Sequence, residues 1–441
     1  MRAVSKKLKF KLGRLALALA LTAIFVASLT PRAQAEVKPA YALLNCRIVA
    51  APGQTIEKGK IIVRDGLIEA VGPAEKIPVP PDAEVIEASG LTAYPGLISA
   101  HTNLFLDVKE QDQPQNPEDY FSSFLQPSEP QEYPDLLVLK GLKPKLTTVQ
   151  AYHRAGITTV VVAPNRGIFQ GQSVVLNLNG ENLNPMVIKQ PWALHLNFTT
   201  ERGVYPSSLM GTVAFIRQKF YDTQHYAQHW KKYLASPAGL KRPEYDPFLE
   251  ALVPFVVDKK PVVFQCNNQE DIKRALKIIK EFQLNGILTG ANEAWRVIEV
   301  IKQARLPLLV SLDFRAPATS LFAQQGEAAR KKAESELYPA NAAALQKENI
   351  SFALTSFGLT DSSFLKNVQL AIKSGLSPET ALRALTVEPA RILGLEKQLG
   401  TIEKGKIANL ILTRGPLFED KTKVVKVLVD GILFNYEEKG Q

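Results

Sequence analysis

The chain has 441 residues, of which 46% are hydrophobic, 22% are charged and only two are cysteine. This composition excludes a disordered chain, a collagen-like repeat and a disulfide-stapled scaffold, and the length suits one large domain with a smaller one. The net charge is +10, but seven of the basic residues lie in the first 35 positions, where there is no acid. The charge that remains, about +3, is too small and too scattered for a nucleic-acid-binding face.

Residues 1–35 have the pattern of a secretory signal peptide. A basic start leads into an apolar run from Leu15 to Leu29, and residues 33–35 have the small-x-small form that signal peptidase cleaves. An uncleaved membrane anchor is the alternative, but the run is short for a span of about 20 residues. We therefore expect cleavage after Ala35, a mature chain that is periplasmic or extracellular, and no integral membrane span after cleavage.

Both ends of the mature chain show short β-type runs separated by turns. The heptapeptide TIEKGKI occurs at 55–61 and again at 401–407. In each copy a glycine, Gly59 or Gly405, is predicted to occupy a turn with positive φ just before a β run. Two copies do not make a repeat protein and are compatible with coincidence. We predict that both ends build one small β-sheet domain and that the middle of the chain is a single insert.

The middle of the chain alternates apolar strands with helices. The strands are near-continuous apolar runs, typical of parallel strands buried on both faces. About eight such strands with helices between them, in ~300 residues, are the pattern of a (β/α)8 barrel. The Pro- and Gln-rich stretch 111–134 would be a loop over the barrel mouth. The candidate strands are Leu97–Asn103, Thr158–Ala163, Ser173–Leu178, Ala193–Phe198, Pro261–Gln265, Gly286–Gly290, Pro307–Leu312 and Ser351–Ser356.

These patterns divide the chain into four segments. The segments are a signal peptide at 1–35, the N-terminal part of a β-sandwich at 36–93, a barrel at 94–395 and the C-terminal part of the β-sandwich at 396–441. Cys46 and Cys266 fall in different predicted domains, so we expect two buried free thiols rather than a disulfide.

Two parts of the sequence carry a family resemblance. The first combines GLIEAVG at 66–72 with YPGLISAH at 94–101, and the second runs from GLSPETALRALT at 375–386 to LGTIEKGKIANL at 399–410. Together they resemble the metal-dependent amidohydrolase superfamily, closest to its imidazolonepropionase-like branch. The resemblance implies an α/β fold with a (β/α)8 TIM-type barrel and a composite β-sandwich domain built from both termini. It also implies hydrolysis of non-peptide C–N bonds, such as those of cyclic amides, by a metal-activated water.

The resemblance further implies metal ligands at the carboxyl ends of the barrel strands. These are a His-x-His pair on the first strand, histidines from the fifth and sixth strands, and an aspartate from the eighth. Only His101 is retained. The other four positions, which we expect to line the pocket, are occupied by Asn103, Gln265, Asn292 and Phe357. Since an amide is a poor zinc ligand, we expect no metal cofactor.

Two further residues bear on this site. Asp361 would be the family's aspartate if the eighth strand extended further than predicted. Asp361 and His101 would then make two ligands, whereas a tight zinc site normally has three or more. His195 shares a strand face with Asn197. It is either a pocket-lining base or ligand at the barrel mouth, or a hydrogen-bonded interior histidine.

The other histidines carry weaker signals. His225 and His229 are four residues apart in a helical stretch and could share a metal. They lack the glutamate of a His-Glu-x-x-His motif, which favours an exposed helix face instead. His153, near the end of a predicted helix, is expected to have a capping or surface role.

Two functions remain open at this point. The first is a weak or inactive relative that binds a small polar ligand or acts as a partner subunit, in a homo-oligomer or in a complex with an intact paralogue. The second is a working amidohydrolase that acts on an amide substrate with His101 and Asp361, using one zinc or other divalent metal or none. The intact scaffold favours the second, and the loss of four ligands together favours the first.

Overall fold

The computed structural model describes most of the chain. The predicted signal peptide and residues 111–131 of the predicted loop lie outside the described residues. Only the backbone is described at Asp361 and Ser362. No described helix is long and apolar enough to cross a membrane. The described ranges are 39–106, 132–200, 205–316, 326–359 and 361–437.

These residues form eighteen β-strands and eleven α-helices, with three short 3-10 helices. The strands are β1 (Tyr41–Ala51), β2 (Gln54–Arg64), β3 (Leu67–Pro73), β4 (Glu84–Glu87), β5 (Thr92–Pro95), β6 (Leu97–Thr102), β7 (Ile157–Val162), β8 (Phe169–Gln172), β9 (Val174–Asn177), β10 (Val187–Lys189), β11 (Leu194–Asn197), β12 (Val262–Cys266), β13 (Gly286–Gly290), β14 (Leu308–Ser311), β15 (Phe352–Thr355), β16 (Leu410–Arg414), β17 (Lys423–Val429) and β18 (Ile432–Asn435). The α-helices are α1 (Leu146–Arg154), α2 (Leu183–Met186), α3 (Leu209–Ala235), α4 (Pro247–Val256), α5 (Gln269–Phe282), α6 (Ile298–Ala304), α7 (Glu327–Ser335), α8 (Asn341–Lys347), α9 (Asp361–Lys373), α10 (Pro378–Leu385) and α11 (Val387–Leu393). The 3-10 helices are Val138–Gly141, Ala294–Val297 and Tyr338–Ala340.

The largest sheet has eight strands and takes them from both ends of the described chain. Its order is β18-β17-β16-β5-β1-β2-β3, with β4 paired to β1. The join between the two ends is the antiparallel pairing of β16 with β5, which runs from Leu410 opposite Pro95 to Thr413 opposite Thr92. A separate bridge between Leu67 and Ile407 ties the second heptapeptide to β3. The segment just before the long insert is therefore held against the segment just after it.

The two heptapeptides do not have the same structure. Gly405 has φ +86° and lies in a turn, as predicted. Gly59 lies inside β2, where it pairs with both neighbouring strands, so the prediction of a turn there is wrong. A Cβ at Gly59 would stand 2.3 Å from Ile48 Cδ1. The glycine is required at this position by close packing against β1 rather than by a positive φ.

The insert forms two smaller sheets. One has the order β10-β9-β7-β6 and the other the order β15-β14-β13-β12-β11-β8. All eight candidate strands are confirmed, each to within one residue at either end. From β11 to β15 every neighbouring pair is parallel, and helices lie between consecutive strands from β11 to β14.

One strand departs from the predicted parallel alternation with helices. β9 is antiparallel to β7, and no helix lies between them. The connection is only residues 163–173 and contains β8, which itself pairs antiparallel with β11. A crossover to a parallel strand needs a dozen or more residues, usually with a helix. The chain therefore returns by a short antiparallel connection at this point.

A polar network links the eight-stranded sheet to the four-stranded one. Asn409, which precedes β16, donates its amide to Asn177 Oδ1 (2.8 Å) and Thr159 Oγ1 (3.1 Å). Asn409 Oδ1 in turn accepts from the backbone N–H of Asp430 at 2.9 Å. The Asp430 carboxylate accepts from Asn177 Nδ2 at 2.6 Å. Because Thr159, Asn177 and Asn409 are buried and are hydrogen-bonded together, they fix the position of one sheet on the other.

Both cysteine thiols and one histidine are buried in the fold. Cys46 and Cys266 are free and buried, as expected. His153 in α1 is 0% exposed, so the expected surface role is wrong. Its Nε2 bonds the carbonyl oxygen of Leu178 at 2.8 Å and its Nδ1 bonds the hydroxyl of Tyr436 at 2.7 Å. Burial lowers the pKa of His153 to about 4, against a smaller opposing effect of the Leu178 hydrogen bond.

This pKa predicts how stability changes with pH. An unfolded histidine takes up a proton below about pH 6.5, whereas folded His153 stays neutral until about pH 4. Between these values the unfolded chain binds more protons, so His153 makes the free energy of unfolding fall with falling pH, by up to ~1.4 kcal/mol per pH unit. We expect His153→Gln to show a shallower decline than the wild type in denaturant titrations at pH 7, 6 and 5. The exposed control Gln228→Ala should keep the wild-type slope, and parallel curves for His153→Gln would contradict the account.

Candidate functional site

A cavity of about 670 Å³ opens at the carboxyl ends of the parallel strands β12 to β15. Each strand contributes a residue at or next to its last position: Gln265, Gly290, Ser311 and Thr355. The segments that follow these strands complete the wall. In α/β folds ligands bind outside the carboxyl ends of the strands, so this cavity is the candidate site.

His101 reaches the cavity from β6. It is 2% exposed, and its Nδ1 shares a hydrogen bond of 2.8 Å with Thr289 Oγ1 in β13. Burial lowers the pKa of His101 to about 3. The ring is therefore neutral at physiological pH, and its position is fixed by a hydroxyl rather than by a carboxylate.

His195 lies beside His101, with 5.4 Å between the ring centroids. It is 1% exposed, and its Nε2 shares a hydrogen bond of 2.9 Å with Ser173 Oγ. Burial, and to a smaller extent the neighbouring His101, lowers the pKa of His195 well below its usual range. It is not among the described residues that line the cavity, whereas Asn197 on the same strand is. This is the interior arrangement that the sequence left as one of two alternatives.

Three of the expected ligand positions meet in the cavity with His101. Gln265 accepts a hydrogen bond of 3.4 Å from Asn197 Nδ2. Asn292 donates one of 2.8 Å to the backbone oxygen of Asp313. The ring of Phe357 stacks on that of His101, with 4.2 Å between centroids and 13° between planes. Two amides and one aromatic ring therefore surround the remaining histidine.

Two further predicted site residues are Asn103 and Asp361. Asn103 follows the last residue of β6 and is not among the described residues that line the cavity. The pairing of β6 with β7 is irregular between Ser99 and Thr102, so regular strand alternation does not carry through to Asn103. Asp361 begins α9, six residues beyond the end of β15. Its side chain lies outside what the structure describes.

The structure adds a charged pair that the sequence reasoning missed. Asp313 and Arg315 line the cavity wall just after β14. The guanidinium of Arg315 donates to both carboxylate oxygens of Asp313, at 2.8 and 2.6 Å, and its Nη2 also donates to the backbone oxygen of Gly358 at 2.7 Å. The signal for this pair was an acidic and a basic residue directly after an apolar strand. Thr289, the partner of His101, had no such signal.

The side chains that the structure describes at the cavity do not form a donor set for a tightly held metal. Within the described ranges no three His, Cys, Asp or Glu side chains come together as a possible metal group. The Nδ1 atom of His101 is engaged by Thr289, and the carboxylate of Asp313 is engaged by Arg315. Zinc sites in proteins normally use at least three imidazole, thiolate or carboxylate ligands. At two of the expected ligand positions the cavity offers the amides of Gln265 and Asn292 instead.

Comparison with protein families and curated proteins gives partial matches. The model of the amidohydrolase family matches residues 259–433. Adenine deaminase 2 of Jannaschia sp. (strain CCS1) is 30% identical over 145 residues, which is 32% of this chain and 20% of that protein. The 5-methylthioadenosine/S-adenosylhomocysteine deaminase of Moorella thermoacetica is 42% identical over 60 residues, 13% of this chain and 14% of that protein. The chain thus matches about a fifth or less of the length of these relatives.

Solved structures match over nearly the whole chain. An amidohydrolase from Thermotoga maritima is 26% identical with a TM-score of 0.73, over 90% of this chain and 100% of that one. Molinate hydrolase is 15% identical with a TM-score of 0.54, over 91% of this chain and 95% of that one, which shows the fold alone. The family model and these structures agree with the resemblance in the sequence. The chain is therefore similar to amidohydrolases in sequence over residues 259–433 and in fold over most of its length.

Proposed function

We propose that this protein is a weak or inactive relative of the amidohydrolases that binds a small, uncharged polar ligand in the cavity beside His101. The observation that carries the proposal is the group formed by Gln265, Asn292 and Phe357 around that histidine. These are three of the positions where the family resemblance calls for metal ligands. Amides keep a site polar and able to donate and accept hydrogen bonds, but they remove its affinity for zinc.

The charge distribution supports an uncharged ligand. His101 is neutral because of its burial. The acidic groups in the wall already have partners: Asp313 pairs with Arg315, and Asp271 with Arg274 at 2.6 Å. Glu293 lies 4.0 Å from Arg296 Nε and also accepts a hydrogen bond of 3.0 Å from the backbone N–H of Gln269. None of these groups carries an unpaired charge, so none of them favours an ion over a neutral molecule as the ligand.

The hydrogen-bonding groups support a ligand of amide or amino-heterocycle type. Gln265, Asn267 and Asn292 each carry a carbonyl oxygen and an NH2 group at the cavity. A cyclic amide or an amino-substituted ring presents matching donors and acceptors. The deaminases that this chain partly resembles are named for adenine and 5-methylthioadenosine, which are compounds of this class.

We further infer that eight of the ten strands in the two smaller sheets, β6, β7, β9 and β11 to β15, form one barrel. The larger sheet would then be the composite β-sandwich domain. Support comes from the apolar side chains that both smaller sheets direct into a common cluster, such as Ile98, Val161 and Leu309. Ser99 Oγ in β6 and Ser356 Oγ, just after β15, lie 2.8 Å apart. Such a layered interior beneath a polar mouth is the arrangement of (β/α)8 proteins.

The test is binding and turnover measured on the same panel. We expect calorimetry of the mature protein to detect binding of at least one of adenine, 5-methylthioadenosine, dihydrouracil and hydantoin, without product formation by chromatography. Gln265→Ala removes one neutral hydrogen-bonding group and should weaken that binding roughly three- to tenfold. The exposed control Asn184→Ala, outside the cavity lining, should bind as the wild type does. Turnover that is lost in His101→Ala would favour the working amidohydrolase and contradict the proposal.

We also propose that the chain is exported and cleaved after Ala35, on the basis of the basic, apolar and small-x-small pattern of residues 1–35. Expression of the full chain in a Gram-negative host should yield a periplasmic protein that begins at Glu36 by N-terminal sequencing. Ala33→Leu with Ala35→Leu should block cleavage and leave the leader attached. A full-length chain in the cytosolic fraction would contradict export.

A further inference from the structure

Two histidines lie outside the cavity, on the exposed face of the long helix α3. The helix packs through one side, where Phe220, Thr223 and Tyr226 are buried. Tyr226 also donates its hydroxyl to Glu250 Oε2 in α4 at 3.0 Å, which fixes the helix at this level. His225 and His229 are exposed and lie one helical turn apart. Their ring centroids are 4.0 Å from each other.

These two are the surface-accessible imidazoles of the chain. The sequence has five histidines, and the other three, His101, His153 and His195, are at most 2% exposed. The two cysteines are also buried. Imidazole and thiolate are the side chains that divalent transition metals prefer. A metal ion arriving from solvent therefore meets these side-chain types only at this pair.

We propose that His225 and His229 chelate one divalent transition-metal ion on the face of α3. Side chains at i and i+4 of a helix lie on the same face, so the backbone of α3 brings both imidazoles to one ion without a change of fold. No third His, Cys, Asp or Glu of the described residues joins the pair, so water completes the coordination. Cu²⁺ is expected to bind more tightly than Ni²⁺ or Zn²⁺, following the general order of affinity for nitrogen ligands. This site goes beyond the proposed function and is independent of the cavity.

Chelate chromatography of the untagged mature protein tests the site directly. We expect the wild type to be retained on a Cu²⁺- or Ni²⁺-loaded column and to elute with imidazole. His225→Ala and His229→Ala should each elute much earlier. Gln228→Ala, an exposed change within the same turn of the helix, should be retained like the wild type. Equal retention of the wild type and the double alanine variant would overturn the proposal.

A variant with altered spacing shows whether retention needs two histidines that bind one ion together or only two histidines on the helix. The double variant Ala227→His with His229→Ala keeps two histidines on α3 but places them about 200° apart around the helix axis. This variant should lose retention on the column. His229→Gln, which removes the second histidine without placing one elsewhere, should lose retention as well. Titration with Cu²⁺ alone should show one equivalent bound to the wild type and none to either variant. Retention of the spacing variant at the wild-type level would contradict a chelate, and circular dichroism identifies any variant that fails to fold.

Discussion

Burial of the polar side chains at the strand ends constrains the chemistry of the whole cavity. A charged group in such a place is costly unless it is paired, and a neutral one must find a hydrogen-bond partner. His101 and His195 meet this constraint as neutral rings bonded to Thr289 and Ser173. Charged groups are found in the cavity wall, where Asp313 is neutralised by Arg315. These neutral and paired groups are the basis for the uncharged polar ligand that we propose.

Apolar packing and the pairing of the two chain ends hold the scaffold beneath this site. Beneath the polar mouth the strands pack an apolar cluster that includes Val263, Ile287 and Ala353. The two ends of the chain are tied by the pairing of β5 with β16 and by the buried network around Asn409. These interactions do not involve the cavity-lining residues at the strand ends. Fold and function are separable here, because the chemistry resides in a few side chains at the mouth.

Much of the fold could be predicted from the sequence, because buried strands leave continuous apolar runs and turns leave glycines. The direction of β9 could not, since its apolar run is the same in either orientation and only the short connection decides it. The glycine at position 59 shows the same limit, because packing against Ile48 leaves no local signal. In the site, the family resemblance pointed to Gln265, Asn292 and Phe357 as residues near His101, and they line the cavity with it. The roles of Thr289 and Arg315 depend on contacts between elements distant in sequence, which no local pattern encodes.

Metal content per chain tests the central claim most directly. Because the pair on α3 would itself bind metal, the measurement is made on the untagged double variant His225→Ala with His229→Ala, after zinc supplementation and removal of free ion. With an amide-lined cavity that lacks three strong ligands, elemental mass spectrometry should find less than about 0.1 zinc, manganese or iron per chain. About one metal per chain, lost in His101→Ala or Asp361→Ala, would show a functioning metal centre and contradict the account.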